Sequence, residues 1–210
     1  MATDASGFQL RAYVFIDSLQ PQLAQYMAKT NRVYDPRELD AALFLEIAPA
    51  MEIHGKIDQA LKATRVKLGS MVTERVFGMM QVHHEDQGEV RAAGEAVLAA
   101  SGLKVSDRAR CKILQNKIIR SVEQDHAIAF TGLASGNMVL AGESILIMEA
   151  EPAAYLSIAC NEALKAARVK LIDIIVWGAS GRLILAGSEA QIDYAAAAAT
   201  AALENLNRAL

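Results

Sequence analysis

The densest run of potential metal or acid–base groups in this 210-residue chain is His83-His84-Glu85-Asp86. Neighbouring side chains on an extended segment point to opposite sides, so two adjacent histidines diverge rather than converge on one ion. Zinc needs three or four ligands closing around it, and no further ligand stands near in sequence. The run therefore reads as a polar strand-to-helix loop, with Asp86 placed to cap the helix that follows. His54 and His126 stand alone on predicted helices and read as structural. Residues 132–137, GLASGN, lack the Lys-Ser/Thr of a phosphate loop and the spacing of a dinucleotide fingerprint, and read as a turn. Cys111 and Cys160 are too few and too far apart for a disulfide framework, which fits a reducing compartment. Cys160 lies in an alanine-rich helical pattern and is expected to be buried and inert. No Ser-His-Asp set and no carboxylate pair emerges. The expectation is no catalytic residue, no metal and no cofactor.

The remaining chemistry is charge. Glu74 and Arg75 lie near the end of a β-rich segment (66–76), and Lys62 and Lys165 sit late in two predicted helices. Over the whole chain 21 Lys and Arg face 24 Asp and Glu, a net charge of -3. So even a balance excludes the basic stripe of a nucleic-acid binder. With 53% hydrophobic and 21% charged residues the chain is globular, and its length closes one large core or two smaller ones. No apolar run reaches the ~18 residues of a membrane span. The start, MATDASGFQL, lacks a basic segment followed by an apolar one, so no secretory leader is expected. The chain reads as soluble and cytoplasmic.

The elements that hold these charges are duplicated. Residues 60–68 read ALKATRVKL and residues 163–171 read ALKAARVKL, agreeing at eight of nine positions at an offset of 103. The same offset carries Glu46 onto Glu149, Pro49 onto Pro152 and Gly78 onto Gly181. Such self-similarity is the mark of a tandem repeat. Upstream, Leu10-Arg11-Ala12-Tyr13 matches Ile119-Arg120-Ser121-Val122 at an offset of 109, which implies six extra residues in the first copy between Gln20 and Asp40. Downstream, Val90 matches Ile192, a slip of one residue. The organisation expected is a tail (1–8), a first unit (9–104), a polar linker (105–116) and a second unit (117–207).

Each unit repeats one order of elements. A strand (10–17; 117–122) leads to a short helix starting at Pro21 or near Asp125, then to an apolar strand (43–47; 145–149). Pro49 and Pro152 fall in the first turn of helices running to Ala63 and Ala166. β-rich segments (66–76; 169–177) turn through glycine into further strands (79–82; 182–186), and alanine-rich helices (87–100; 189–206) close each unit. The fold class is α+β, with an antiparallel or mixed sheet flanked by helices in each unit.

The E-x-x-P-A and A-L-K-A-x-R-V-K-L segments of both copies, with G-R-L-I-L-A-G (181–187) of the second, resemble the bacterial microcompartment (BMC) shell domain. Two in tandem resemble the trimeric class of shell proteins, in which three chains form a six-domain pseudohexagonal tile. LRAYVFIDSLQPQLAQYM (10–27) and VTERVFG (72–78) are similar to the carboxysome members that stack two trimers face to face. Each copy starts with the strand and short helix that end an ordinary shell domain. The resemblance thus implies two tandem, circularly permuted BMC (ferredoxin-like) domains. The usual Pro-Arg-Pro-His-like tail is absent, and contacts made by it elsewhere do not transfer.

By that resemblance, the loops Glu74-Arg75-Val76-Phe77-Gly78 and Trp177-Gly178-Ala179-Ser180-Gly181 face the symmetry axis. Glu74 and Arg75 then match the pair that gates a large central pore. On an extended segment the two would point apart, but around a threefold axis Arg75 of one chain reaches Glu74 of the next. Exposed ion pairs are worth about 0–1 kcal/mol, so a gate built from three of them is bistable. Once open, its arginines favour anions such as sugar phosphates. Gly178, Ala179, Ser180 and Gly181 are small and keep a lumen wide, while Trp177 reads as packing. Lys62 and Lys165 match the lysine at the tile edge, and Asp58 supports Lys62 within its helix.

The resemblance implies a homotrimer, with a stacked dimer of trimers left open, set among neighbouring hexameric shell proteins in a carboxysome shell. The metabolites implied are ribulose bisphosphate and phosphoglycerate. The alternatives are a catabolic microcompartment shell, or a trimeric small-molecule sensor or enzyme, which would need a deep pocket with converging polar groups.

Overall fold

Eight strands build two four-stranded sheets in the computed structural model, which describes residues 8–30, 33–133 and 137–208. The first sheet contains β1 (Gln9–Ile16), β2 (Ala41–Ala48), β3 (Lys67–Glu74) and β4 (Phe77–His84), in the order β1-β2-β4-β3. The second contains β5 (Lys112–Ile119), β6 (Ser144–Glu151), β7 (Lys170–Ile175) and β8 (Gly181–Gly187), in the order β5-β6-β8-β7. All these pairings are antiparallel. Helices α1 (Pro21–Thr30), α2 (Ile53–Ala63) and α3 (Gln87–Ser101) belong to the first unit. Helices α4 (Gln124–Leu133), α5 (Leu156–Ala166) and α6 (Glu189–Arg208) belong to the second.

The local signals explain most boundaries. Pro49 and Pro152 each follow a cis peptide bond and stand just ahead of a short 3-10 turn that runs into α2 or α5. Asp86 caps α3 by accepting the Gly88 N–H at 2.7 Å, and Gly102, at a φ of 64°, ends that helix in the left-handed conformation.

The two copies superpose at an offset of 103 from their first strand onward. Gln9 pairs with Ala48 and Lys112 with Glu151, with matching bulges at Leu10/Ala12 and Ile113/Gln115. Helices α1 and α4 begin at Pro21 and Gln124, again 103 apart. The 109 offset is therefore wrong: no six-residue insertion separates the copies, and β5 starts at Lys112, inside the segment expected as linker. The reason is the environment of the two strands. β1 alternates half-buried and buried residues, with Ala12, Val14 and Ile16 under the second unit, whereas Gln115 and Lys117 of β5 are exposed. Different neighbours select different side chains, which erased the similarity between 9–16 and 112–119. The downstream slip of one residue holds, since α3 and α6 begin at Gln87 and Glu189 and place Val90 and Ile192 in equivalent, fully buried sites.

One face of the first sheet packs on α2 and α3 through Leu43, Leu45, Ile53, Val90 and Val97. Its other face carries Val14, Ile16 and Phe44, joins α1 through Leu23 and Met27, and shares one core cluster with Leu156, Leu183 and Leu185 of the second unit. Hydrogen bonds stitch this joint. Glu46 Oε2 accepts the Ala154 N–H at 2.9 Å, and Asn161 Oδ1 accepts the Gln20 N–H at 2.9 Å. Gln22 Oε1 accepts the Leu171 N–H at 2.9 Å, and the Tyr26 hydroxyl donates to Asp173 at 2.5 Å.

Candidate functional site

Strand β3 ends at Glu74, which pairs with Phe77, so only Arg75 and Val76 connect β3 to β4. A two-residue hairpin that follows the twist of its strands needs positive φ, and Arg75 supplies 53°. This revises the geometry expected from the sequence. Arg75 leaves the strand at a left-handed turn, so its direction is set by the turn rather than by strand alternation. Glu74, Arg75 and Val76 are all exposed, Val76 at 58%.

The second loop, between β7 and β8, lies against the first within the same chain. Gly178 is buried at a φ of 99°, and a Cβ built on it would stand 2.8 Å from Glu74 Oε2. The positive φ favours glycine here, and the end of the flexible Glu74 side chain lies over it. Ser180 turns its hydroxyl inward to Glu149 Oε1 at 2.5 Å, and Ala179 is exposed. Gly78 and Gly181 lie beneath their loops, not at the tips. A Cβ on Gly78 would come within 2.4 Å of the Ala50 carbonyl oxygen, and one on Gly181 within 2.6 Å of that of Ala153. Trp177 is half-buried and borders an apolar cavity of about 460 Å³ with Leu23, Met27, Phe44 and Val72.

The base of the first loop is clamped by residues the sequence reading did not select. Arg11 lies over the Phe77 ring at 3.7 Å and donates from Nε to Glu46 Oε1 at 2.6 Å. Glu46 is fully buried. Burial pushes its carboxyl above the ordinary range, while the bonds from Arg11 and the Ala154 N–H pull it back down. The available signal was the repeat itself: Glu46 and Glu149 are a preserved acid inside an apolar strand, which calls for a partner.

Lys62 and Lys165 occupy the last turns of α2 and α5, both exposed. Lys62 pairs with Asp58 at 2.7 Å and Lys165 with Glu162 at 3.4 Å. Exposed pairs of this kind hold a side chain loosely, leaving it able to change partner.

The other sequence candidates resolve as structure. His83 is buried, with Nδ1 3.3 Å from the Gln81 amide nitrogen, and His84 Nδ1 accepts the Asp86 N–H at 2.9 Å. His54 is exposed on α2, and His126 stacks on Phe130 at 4.6 Å. Gly132 belongs to α4, while residues 134–136 of the expected turn lie outside the described residues. Burial pushes the Cys111 thiol up to about 12 and raises that of Cys160 too, so both remain thiols. Among the described residues no group of three or more His, Cys, Asp or Glu side chains could hold a metal ion, and no helix is long and apolar enough to cross a membrane.

Burial lowers the pKa of His83 below 6.5, with Lys67 and His84 adding to the effect and Asp40 and Asp35 opposing it. The unfolded chain thus binds the proton more readily, and stability is present above pH ~6.5 and lost as pH falls through the folded value. Urea titrations from pH 7.5 down to 5 should show this loss, and His83→Asn should flatten it. An equal slope in the variant would assign the loss to other groups.

A family model described as the CsoS1D N-terminal domain matches residues 10–107. The chain is 46% identical over 199 residues to the carboxysome shell protein CsoS1D of Hydrogenovibrio crunogenus, covering 94% of this chain and 97% of that protein. It is 43% identical to the carboxysome shell protein CcmP of Synechococcus elongatus, with coverages of 96% and 94%. Among solved structures, the fused permuted hexameric shell protein MSM0275 from the RMM microcompartment matches with a TM-score of 0.92 at 42% identity, over 95% of this chain and 98% of that one. The double ringed trimeric shell protein MSM0271 from the same kind of microcompartment matches at 0.91 and 36%, with coverages of 94% and 97%.

Proposed function

The chain belongs to the family of the carboxysome shell proteins CsoS1D and CcmP, and we propose that within the shell it forms a tile whose central pore is gated by Glu74 and Arg75. It is a structural shell protein built from two tandem permuted BMC domains, not an enzyme, and its place is the microcompartment shell. MSM0271 is a trimeric shell protein, which supports a homotrimer for this chain.

The observation that carries the gate is the contact between the two loops. Glu74 rests against Gly178, so both loops of one chain project together. In a ring of three chains and six units, all six loops then converge on one axis. Glu74 and Arg75 form the charged, exposed tip of the first loop. The second loop offers Gly178, Ala179 and Ser180, which add little bulk, while Gly78 and Gly181 set the height of the loops from below. Arginine near the axis favours phosphorylated anions such as ribulose bisphosphate and phosphoglycerate. Lys62 and Lys165, at equivalent places on α2 and α5, serve the edges that meet neighbouring hexameric shell proteins. A stack of two trimers is supported by the double ringed form of MSM0271.

The test is the double variant Glu74→Ala, Arg75→Ala. Trimers should persist, and images of the particles by electron cryomicroscopy should show an open axis in all of them. A variant that no longer forms trimers would make the pair structural, and an axis as closed as in the parent would take the gate away from these residues.

A further inference from the structure

The joint inside the chain predicts the joint between chains. Three side-chain acceptors receive backbone N–H groups across the in-chain joint: Glu46 from Ala154, Gln22 from Leu171 and Asn161 from Gln20. Moving each residue by the repeat offset of 103 turns these pairs into Glu149 with Met51, Asp125 with Leu68, and Asp58 with Glu123. Every acceptor position still holds an acceptor. Most other positions of the joint changed: Arg11 corresponds to Leu114, Tyr155 to Glu52, Tyr26 to Ala129 and Asp173 to Ser70. The two surfaces that carry the shifted pairs are open in the single chain. Met51 is 68% exposed and Leu114 40%, Asp58 and Asp125 are exposed, and β5 shows Gln115 and Lys117 where β1 buries Ala12 and Val14.

We propose that the second unit of one chain docks on the first unit of the next through these three pairs. Glu149 accepts the N–H of Met51 of the partner subunit, Asp125 accepts that of Leu68 of the partner subunit, and Asp58 of the partner subunit accepts that of Glu123. The occupant of the open β5 face is thus a second copy, seated as the second unit already sits on the first. Repeating that step closes the ring on which the proposed tile rests.

The chemistry also sets the strength of the joint. Inside the chain the amides of Asn161 and Gln22 donate as well, to Ser18 O at 3.2 Å and Val169 O at 2.7 Å. The carboxylates of Asp58 and Asp125 only accept. The joint between chains therefore has fewer bonds than the one within, and it is the one that separates on dilution.

Sedimentation across a concentration series tests this. Asp58→Ala and Asp125→Ala should each raise the concentration at which trimers dissociate by about tenfold or more, because each removes a charge-assisted bond. At concentrations where parent and variants are all dissociated, circular dichroism and melting should match, since both residues are exposed in the single chain. Asp125→Gln and Asp58→Asn, which copy the in-chain chemistry, should stay trimeric. Alanine variants that dissociate like the parent would overturn the proposal, as would amide variants that fall apart like alanine. A parent chain that is monomeric throughout would instead sink the tile reading itself.

Discussion

Glu46→Ala is expected to destabilise the folded chain by about 3–5 kcal/mol, the cost of removing one partner of a buried ion pair. The carboxylate is fully buried and holds two groups from distant parts of the chain. One oxygen takes Arg11 at 2.6 Å and the other takes the Ala154 N–H at 2.9 Å. Alanine would leave the guanidinium, itself largely covered, without a counter-charge and the N–H without an acceptor. The loss would spread to both units, because Arg11 also supports Phe77 at the base of the first loop while Ala154 lies in the turn that leads into α5. Glu46→Gln keeps an oxygen for Ala154 and should lose less. Urea unfolding followed by Trp177 fluorescence measures both. A loss below about 1 kcal/mol for alanine would mean that the joint rests on its apolar contacts alone.

Gly78→Ala and Gly181→Ala should each cost about 1–3 kcal/mol or more by overpacking. The added Cβ on Gly78 would meet the Ala50 carbonyl oxygen at 2.4 Å and Ile53 Cβ at 2.9 Å. On Gly181 it would meet the carbonyl oxygens of Ala153 at 2.6 Å and Ile175 at 2.7 Å. The carbonyls are backbone and Ile53 Cβ is fixed directly to it, so none of these obstacles can swing away. Gly55→Ala is the control: it lies in α2 with no atom within 4 Å of the added Cβ, and alanine should raise stability by up to about 1 kcal/mol through helix propensity. Thermal unfolding of the three variants should therefore move in opposite directions. If Gly78→Ala or Gly181→Ala melted with the parent, the turns after Pro49 and Pro152 would have to be far looser than their packing shows.

Much of this was legible in the residues. The duplication, the order of elements and the ends of α2 and α5 at Ala63 and Ala166 follow from local causes: apolar spacing, a proline before each helix, and polar residues after it. The buried state of Cys160 and the cap at Asp86 follow in the same way. The first strand of the second unit did not, and the 109 offset was the result. A short strand carries few residues, and β5 carries the side chains of an open surface where β1 carries those of a covered one. Matching by similarity fails where the two copies have different neighbours.

The loops divide along the same line. Glu74 and Arg75 are picked out by the resemblance of residues 72–78 to the carboxysome shell proteins, and the paired lysines because the repeat also carries them. The contact of Glu74 with Gly178, the clamp of Arg11 on Phe77 and the bridge from Glu46 to Ala154 are products of tertiary structure. Each joins residues separated by many tens of positions, and no local propensity links them. Sequence alone determined two copies of one α+β unit, with Glu74-Arg75 after a strand of the first and a lysine late in the equivalent helix of each. How the second copy seats on the first, and hence which faces stay open for another chain, was decided only when long-range burial brought the two units together.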